Sequence, residues 1–333
     1  MTTRVGVLGA GAWGTALAHH IAMLGNEVAI WSRDPELART IEVQHVNPLY
    51  LPGVGLEPAL RASTDPGEVV EDREVVVCAV PSQGVRETLR AIAPGVGQGT
   101  LLVGASKGFE IDSLLRMSEV SGEILPGRPF VALSGPSFAL EMIAGQPTAV
   151  VAAAPSAEAA ARVQGLFSGG SLRVYTSADL IGTELAGACK NVIAIAAGMC
   201  EGLGIGQNPR AALVTRGLAE VSRLGTALGA DPLTFSGLAG MGDMILTCFG
   251  PQSRNRSLGA ALGRGDSLER YLAKHRVVVE GVPAARATTR LAERAGVEMP
   301  IAAKVAECLF QAKPPRQAMA ELMERTPKPE QWT

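Results

Sequence analysis

The chain has 333 residues, 47% apolar and 19% charged, with 30 basic against 32 acidic side chains and a formal charge of −2. That composition excludes disorder and coiled coil, and because one core rarely grows past about 250–300 residues, two globular domains are expected. Near-neutral charge offers no basic field for nucleic acid, and no segment approaches about 20 uninterrupted apolar residues, so membrane insertion is not expected either.

In chain order the first half predicts a strand at 4–8, a helix to about residue 24, a strand at 28–31, a helix after Asp34 and a strand at 75–79. It continues with a strand at 101–103, a helix over 111–119, and strands at 130–133 and 149–152. Strands without polar alternation are buried on both faces, and helical crossovers between them imply a parallel sheet. This half therefore reads as a doubly wound α/β domain. After about Asp179 strands become scarce, and helical windows follow at 180–199, 209–228, 266–272, 282–295 and 301–310. The second half reads as all-α. The boundary falls inside the helix around 180–190, giving domains 1–182 and 183–333.

The N-terminus enters its first strand at once, in place of a signal peptide's basic, apolar and cleavage regions, which predicts a cytoplasmic location. Cys78, Cys189, Cys200, Cys248 and Cys308 lie in apolar stretches and form no CxxC pair. That pattern suits a reduced compartment and argues against metal ligation. The polar, proline-bearing tail 326–333 is expected to fray.

Gly9-Ala-Gly11-Ala-Trp-Gly14 follows the first strand and opens a helix. In that context a weak glycine pattern becomes a dinucleotide fingerprint. Gly9 permits the tight turn, Gly11 lets backbone approach the pyrophosphate, and Gly14 lets helix pack closely on strand. The helix N-terminus then offers N–H groups and partial positive charge to the phosphates. At the end of the second strand an acid usually accepts the ribose hydroxyls of NAD, whereas an arginine favours a 2′-phosphate. Here the strand ends Trp31-Ser32-Arg33, and the next acid, Asp34, precedes Pro35 as a helix N-cap does. NADP(H) is expected, with Arg33 and Ser32 on the phosphate and NAD(H) tolerated.

Ligands of an open α/β sheet bind beyond the carboxyl ends of its strands. Those ends carry Gly9, Arg33, Pro81-Ser82-Gln83, Ser106-Lys107-Gly108 and Ser134-Gly135-Pro136-Ser137. Turn chemistry does not require Lys107, and lysine is scarce: only Lys107, Lys190, Lys274, Lys304, Lys313 and Lys328 occur. Lys107 is therefore a candidate ligand contact.

Lys190 is the single cation of the helical window 184–197, and its neighbours at three and four residues are Ala186, Gly187, Ile193 and Ala194. No carboxylate on the same helix neutralises it. A lysine buried without a partner shifts its pKa toward neutrality or lines a polar cavity, where it can exchange a proton with a substrate oxygen. The bland alternative is an acid supplied by another segment. Downstream lies a glycine-rich stretch, 237–247, followed by Ser253-Arg254-Asn255-Arg256. A helix starting near Asp243 puts Thr247 one turn later on the same face. Asp243 as an N-cap with Arg254 and Arg256 solvated is one reading; Arg254 and Asn255 gripping a phosphate is another.

Together these motifs resemble the NAD(P)-dependent glycerol-3-phosphate dehydrogenase family. The matching segments are GAGAWGTALA (9–18), NPLYLPG (47–53), AVPSQ (79–83), SKGFE (106–110), SGPSFALE (134–141), ELAGACKNVIAIAAG (184–198), TRGLAE (215–220), GLAGMGDMILTCFGPQSRNR (237–256) and VVVEG (277–281). The resemblance implies a Rossmann-type N-terminal domain and an all-α C-terminal domain like that of 6-phosphogluconate dehydrogenase. It implies reversible reduction of dihydroxyacetone phosphate to sn-glycerol 3-phosphate by a homodimer, supplying phospholipid backbones. Lys190 is implied as the general acid. Lys107, Gly135, Ser137, Asp243, Ser253, Arg254 and Asn255 are implied at the substrate, with Thr247 and Asn191 supporting the lysine and substrate. Ala12, Trp13, Arg33, Lys107, Ala139, Arg254, Val278 and Glu280 are implied at the cofactor, beside Gly9, Gly11 and Gly14.

A sister reductase acting on a 3-hydroxy acid, ketopantoate or an opine would share this architecture. The Ser-Arg-Asn triplet argues instead for a phosphorylated substrate. A non-catalytic dinucleotide sensor needs neither Lys107 nor Lys190 as a proton donor.

Overall fold

A run such as Val75-Val-Val-Cys78 offers no polar face to water, so a strand made of it is stable only where both faces are covered. The computed structural model describes residues 2–275, 278–327, 329 and 330, and in it all four of these residues are buried. Val277 of the 277–281 segment, and Lys328 and residues 331–333 of the tail, lie outside the described residues. The chain divides into two units, one running to Lys107 and then over Leu115–Leu180, the other made of Gly108–Leu114 and the residues after Leu180.

The first unit begins β1 (Arg4–Leu8), α1 (Ala12–Met23), β2 (Glu27–Trp31), α2 (Pro35–Gln44), β3 (Val46–Asn47), β4 (Leu51–Gly55), β5 (Arg61–Ser63) and α3 (Pro66–Val70). It continues β6 (Val75–Cys78), α4 (Val85–Ile92), β7 (Leu101–Gly104), α5 (Met117–Ile124), β8 (Phe130–Ser134), α6 (Ala139–Ile143), β9 (Thr148–Ala153), α7 (Ala157–Phe167) and β10 (Leu172–Ser177). Eight strands form one sheet in the order β10-β9-β8-β7-β6-β1-β2-β5. Alternate residues supply separate cores on its two faces. Val5, Val7, Val75, Val77, Leu101 and Val103 join one cluster, and Leu8, Val76, Cys78 and Leu102 the other. From β1 the chain winds outward through β2 to β5, then returns to β6 on the other side of β1. That reversal makes the carboxyl ends of β1 and β6 the switch point where ligands bind in such sheets.

Several features differ from the sequence expectation, the unexpected short strands β3, β4 and β5 among them. The sheet is not wholly parallel: β8 and β9 pair antiparallel, because their connection holds only the five-residue α6 and no long crossover helix. The helix expected over 111–119 lies instead at α5. Ahead of it Leu114 has a φ of 65°, and Phe109 and Leu114 are buried in the helical unit's core. β10 was not expected at all; Arg173 and Tyr175 project outward, so only one face of this edge strand is apolar.

In the second unit follow α8 (Leu180–Gly202), α9 (Gln207–Ala227), a π-helical turn at Leu238–Gly242, α10 (Asp243–Phe249) and α11 (Arg254–Gly263). α12 (Leu268–His275), α13 (Gly281–Ala295), α14 (Pro300–Phe310) and α15 (Pro315–Met323) complete it. By length and composition α8 is apolar enough to cross a membrane, but 83% of that window is buried inside the protein. It is the central helix of this unit's core.

α8 and α11 touch backbone to backbone. A Cβ at Gly198 would lie 2.1 Å from Arg256 O, at Gly202 2.2 Å from Ala260 O, at Gly259 2.0 Å from Ile195 O and at Gly263 2.5 Å from Met199 O. The two pairs are spaced four residues apart on their helices, so each forms one small-residue face. α14 shows a different device. Its N-cap residue, Met299, makes no side-chain cap, and the buried Glu220 carboxyl of α9 accepts instead from Ile301 N at 3.0 Å and Ala302 N at 3.4 Å.

Candidate active site

At the switch point the glycines separate by role. Gly9 has a φ of 111°, and its N–H donates to Trp31 O at 3.1 Å. Gly14 is required by packing, since a Cβ there would lie 2.0 Å from Gly9 O. At Gly11 a Cβ would meet nothing within 4 Å, so no internal contact demands glycine there. α1 opens with Gly11 as N-cap, without a side-chain cap and without an acid in its first turn. A bare, uncapped N-terminus fits a pyrophosphate. Ala12, Trp13 and Gly14 form that first turn. The Trp13 Nε1 is buried with no hydrogen-bond partner among the described residues.

Arg33 is exposed just past β2. Asp34 caps α2, accepting from Glu36 N at 3.0 Å and Leu37 N at 3.3 Å, so its carboxylate is engaged locally. Ser32 is buried, with its hydroxyl donating to Asp34 O at 3.0 Å, which ties it to that turn. Of the two candidates for the 2′-phosphate, only Arg33 is disposed toward solvent.

The ends of β7 and β8 are joined by the lysine. Lys107 Nζ donates to Gly135 O at 2.9 Å, and Ser137 Oγ donates to the same carbonyl at 2.9 Å. Gly135 has a φ of 136°, and a Cβ there would lie 2.9 Å from Val150 Cα. Ser106 Oγ donates to Val80 O at 2.6 Å, tying the end of β7 to that of β6. Ala139 opens α6, partly buried.

Lys190 is buried in the middle of α8, but it does have a carboxylate partner. Its Nζ donates to Asp243 Oδ1 at 2.6 Å and to Thr247 Oγ1 at 2.7 Å. The expectation of an unpaired lysine is thus corrected: the acid comes from α10, 53 residues on. The carboxylate neutralises the ammonium, so the lysine is not a solitary buried charge. Thr247 accepts from the lysine and donates to Asp243 O at 2.7 Å, one turn back. Asp243 is not an N-cap; it is the first residue of α10, after the π-helical turn closed by Gly242 N to Gly237 O at 3.1 Å.

Ser253 is the N-cap of α11, accepting from Arg256 N at 3.2 Å, and Arg254 is exposed on its first turn. Asn255 is buried. Its Nδ2 donates to Asn191 Oδ1 at 2.8 Å, and its Oδ1 accepts from Gly281 N at 2.9 Å. Asn255 therefore ties α8, α11 and the start of α13 together. Val278 is exposed and Glu280 precedes α13.

The model for the N-terminus of NAD-dependent glycerol-3-phosphate dehydrogenase matches residues 4–160, and that for its C-terminus matches 179–320. A curated glycerol-3-phosphate dehydrogenase (NAD(P)+) of Geobacter metallireducens is 51% identical over 99% of both chains, and that of Geobacter sulfurreducens 50% over 100% of both. The chain belongs to the NAD-dependent glycerol-3-phosphate dehydrogenase family. It is an oxidoreductase that uses NAD(P). The crystal structure of glycerol-3-phosphate dehydrogenase from Coxiella burnetii superposes with a TM-score of 0.94 at 36% identity, covering 97% of this chain and 99% of that one. A ketopantoate reductase from Ralstonia eutropha shares the fold alone, at 18% identity and a TM-score of 0.61 over 96% of this chain and 99% of that one.

Two residues at this family member's site carried no role in the sequence reading. Asn47 is fully buried, and its Nδ2 donates to Ala10 O at 3.0 Å and Thr15 Oγ1 at 2.8 Å, which fastens the glycine loop. The only signal was its place at the head of the NPLYLPG segment. Arg256, solvated in one of the two readings of its segment, pairs with Glu201 of α8. All five cysteines are free and buried, and burial pushes the Cys189 and Cys248 thiols up to about 12.

Proposed function

We propose that this chain reduces dihydroxyacetone phosphate to sn-glycerol 3-phosphate reversibly, with Lys190 as the acid that protonates the ketone oxygen. The observation that carries this is the buried Lys190 ammonium held by Asp243 and Thr247. Bound NADPH or NADH supplies the hydride. As the carbonyl carbon accepts it, negative charge develops on oxygen, and a positioned ammonium stabilises that charge before giving up its proton. Asp243 and Thr247 fix the direction of the Lys190 Nζ. In the reverse reaction the lysine takes the hydroxyl proton.

Arg254 binds the phosphate with a two-pronged guanidinium contact, beside Ser253 and the Asn255 amide. Lys107, Gly135 and Ser137 complete the substrate contacts. Gly9, Gly11, Ala12, Trp13 and Gly14 hold the dinucleotide phosphates, and Arg33 takes the 2′-phosphate of NADP(H). Ala139, Arg254, Val278, Glu280 and Lys107 make the remaining cofactor contacts. Residues 1–182 carry dinucleotide binding and 183–333 catalysis, except that Gly108–Leu114 packs as part of the second unit. The enzyme works in the cytoplasm as a homodimer, and its product supplies phospholipid backbones.

The test is loss of reduced-nicotinamide absorbance with dihydroxyacetone phosphate, with unphosphorylated dihydroxyacetone as control. Turnover restricted to the phosphorylated ketone supports the reading. Equal turnover of both ketones would remove the phosphate contact, and none with either cofactor would shift the weight to a sister reductase.

A further inference from the structure

Glu201 stands about three turns beyond Lys190 on α8, which returns it to the same side of the helix. Two arginines converge on its carboxylate. Arg256 Nη1 reaches Glu201 Oε2 at 2.5 Å and Arg210 Nη2 at 3.5 Å, with side-chain exposures of only 17% and 9%. Each arginine also holds a carbonyl at the far end of α10. Arg210 Nη2 donates to Cys248 O at 3.5 Å, its guanidinium lying 5.0 Å from the Phe249 ring centroid, and Arg256 Nε donates to Gly250 O at 3.2 Å.

α10 is only seven residues long, too short to be stable by itself. Its first turn is fixed by Asp243 on Lys190. Its last turn ends in carbonyls that carry partial negative charge, which a cation there stabilises. The segment from Cys248 to Ser253 links Thr247, which touches the lysine, to Arg254. α8 thus holds α10 and the following loop at both ends, directly by Lys190 at one and through Arg210 and Arg256, paired with Glu201, at the other.

We infer that Glu201, Arg210 and Arg256 form a positioning clamp for the substrate's phosphate, fixing the α10–α11 loop so that Arg254 meets the phosphate, whereas Thr247 is held independently by Lys190 and Asp243. This rests on the reading of Arg254 as the phosphate residue. None of the three clamp residues needs to touch substrate. They act through the backbone, and Glu201 is the shared anchor: Arg256 turns Nη1 to its carboxylate and Nε to the Gly250 carbonyl from one rigid planar fork, a fixed geometry that the single nitrogen of a lysine ammonium lacks.

The test compares the full-length Glu201→Gln enzyme with wild type in steady-state kinetics at saturating NADPH. The KM for dihydroxyacetone phosphate is expected to rise about fivefold to tenfold with kcat within about threefold, since misplacement of a binding group costs affinity first. One control separates positioning from general damage: the slow turnover of unphosphorylated dihydroxyacetone stays within about twofold. Arg256→Lys reproduces the KM increase. An unchanged KM, or equal losses with both ketones, overturns the clamp. Arg254→Ala is measured in parallel. If it raises KM while Glu201→Gln does not, the clamp is wrong and the phosphate reading stands. If Arg254→Ala leaves KM unchanged, the phosphate reading fails and the clamp with it.

Discussion

Asp243 Oδ1 lies 2.6 Å from Lys190 Nζ, and the two side chains are 2% and 7% exposed. A buried pair of this kind adds little net stability, but removing one partner strands the other and costs about 3–5 kcal/mol. Lys190→Ala therefore does two things at once. It lowers kcat by roughly two orders of magnitude or more, the scale of lost general acid catalysis. It also lowers Tm by on the order of 10 °C, because Asp243 is left charged and buried. The double variant Lys190→Ala/Asp243→Asn is expected to recover most of the stability and none of the activity. Activity that returned together with Tm would show that the lysine acts only through folding.

Arg254→Ala is expected to raise the KM for dihydroxyacetone phosphate by about tenfold to a hundredfold, the range for a charge-assisted contact, with a smaller effect on kcat. Competition by glycerol 3-phosphate should weaken in parallel. Retention of product inhibition alongside a raised KM would place the arginine elsewhere.

Arg33→Ala should weaken NADPH by about tenfold more than NADH, since an exposed charged contact to a 2′-phosphate is worth on the order of 1–2 kcal/mol. The measurement is Kd for both cofactors by nicotinamide fluorescence. Equal losses would remove Arg33 from the phosphate. With Asp34 committed to capping α2, no compensating shift toward the ribose hydroxyls is expected.

Glu220 predicts a pH dependence of stability. Burial pushes its pKa up to about 7, against the opposing pull of the Ile301 and Ala302 N–H groups and of Arg223 and Arg325. The folded protein thus keeps the proton after an unfolded chain has released it. This contribution is complete below the ordinary carboxyl range near 4.5 and is lost as pH rises through about 7. Wild-type Tm should therefore fall across that window more than the Tm of Glu220→Gln, whose amide oxygen can still cap α14. Parallel pH profiles for the two proteins would rule the group out.

What the sequence made legible was whatever is decided locally. The apolar run of β1 and the glycines after it need only their own neighbours, and so does Asp34 before Pro35; the structure places each as expected. Lys190 was conspicuous for the same reason, because no acid on its own helix could neutralise it. Its partner was not legible, since Asp243 reaches it only when α10 folds onto α8. Asn255 was legible only in part: its amide suits a phosphate, but its bonds to Asn191 and Gly281 join helices far apart in the chain and could not be read from its neighbours. β10 and the segment before α5 escaped because an edge strand shows half a pattern, and because Leu114 takes a left-handed turn where its apolar neighbours suggested helix.

The glycine contacts between α8 and α11 bear on how far this enzyme can change. Lys190 and Asn191 ride on one helix, and Arg254 heads the other. Four glycines in helices carry a conformational cost of about 1 kcal/mol each relative to alanine, so such a seam persists only where close approach is needed. Most helix pairs meet through layers of side chains that can be exchanged to widen or narrow the gap. This pair has no such layer, so it works as a fixed gauge: the span from Lys190 to Arg254, the proposed proton donor and phosphate residue, is set by the main chain itself. Within the helical unit, acceptance of a longer or shorter phosphorylated ketone would have to come from the Cys248–Ser253 loop, because the helices have nothing left to trim.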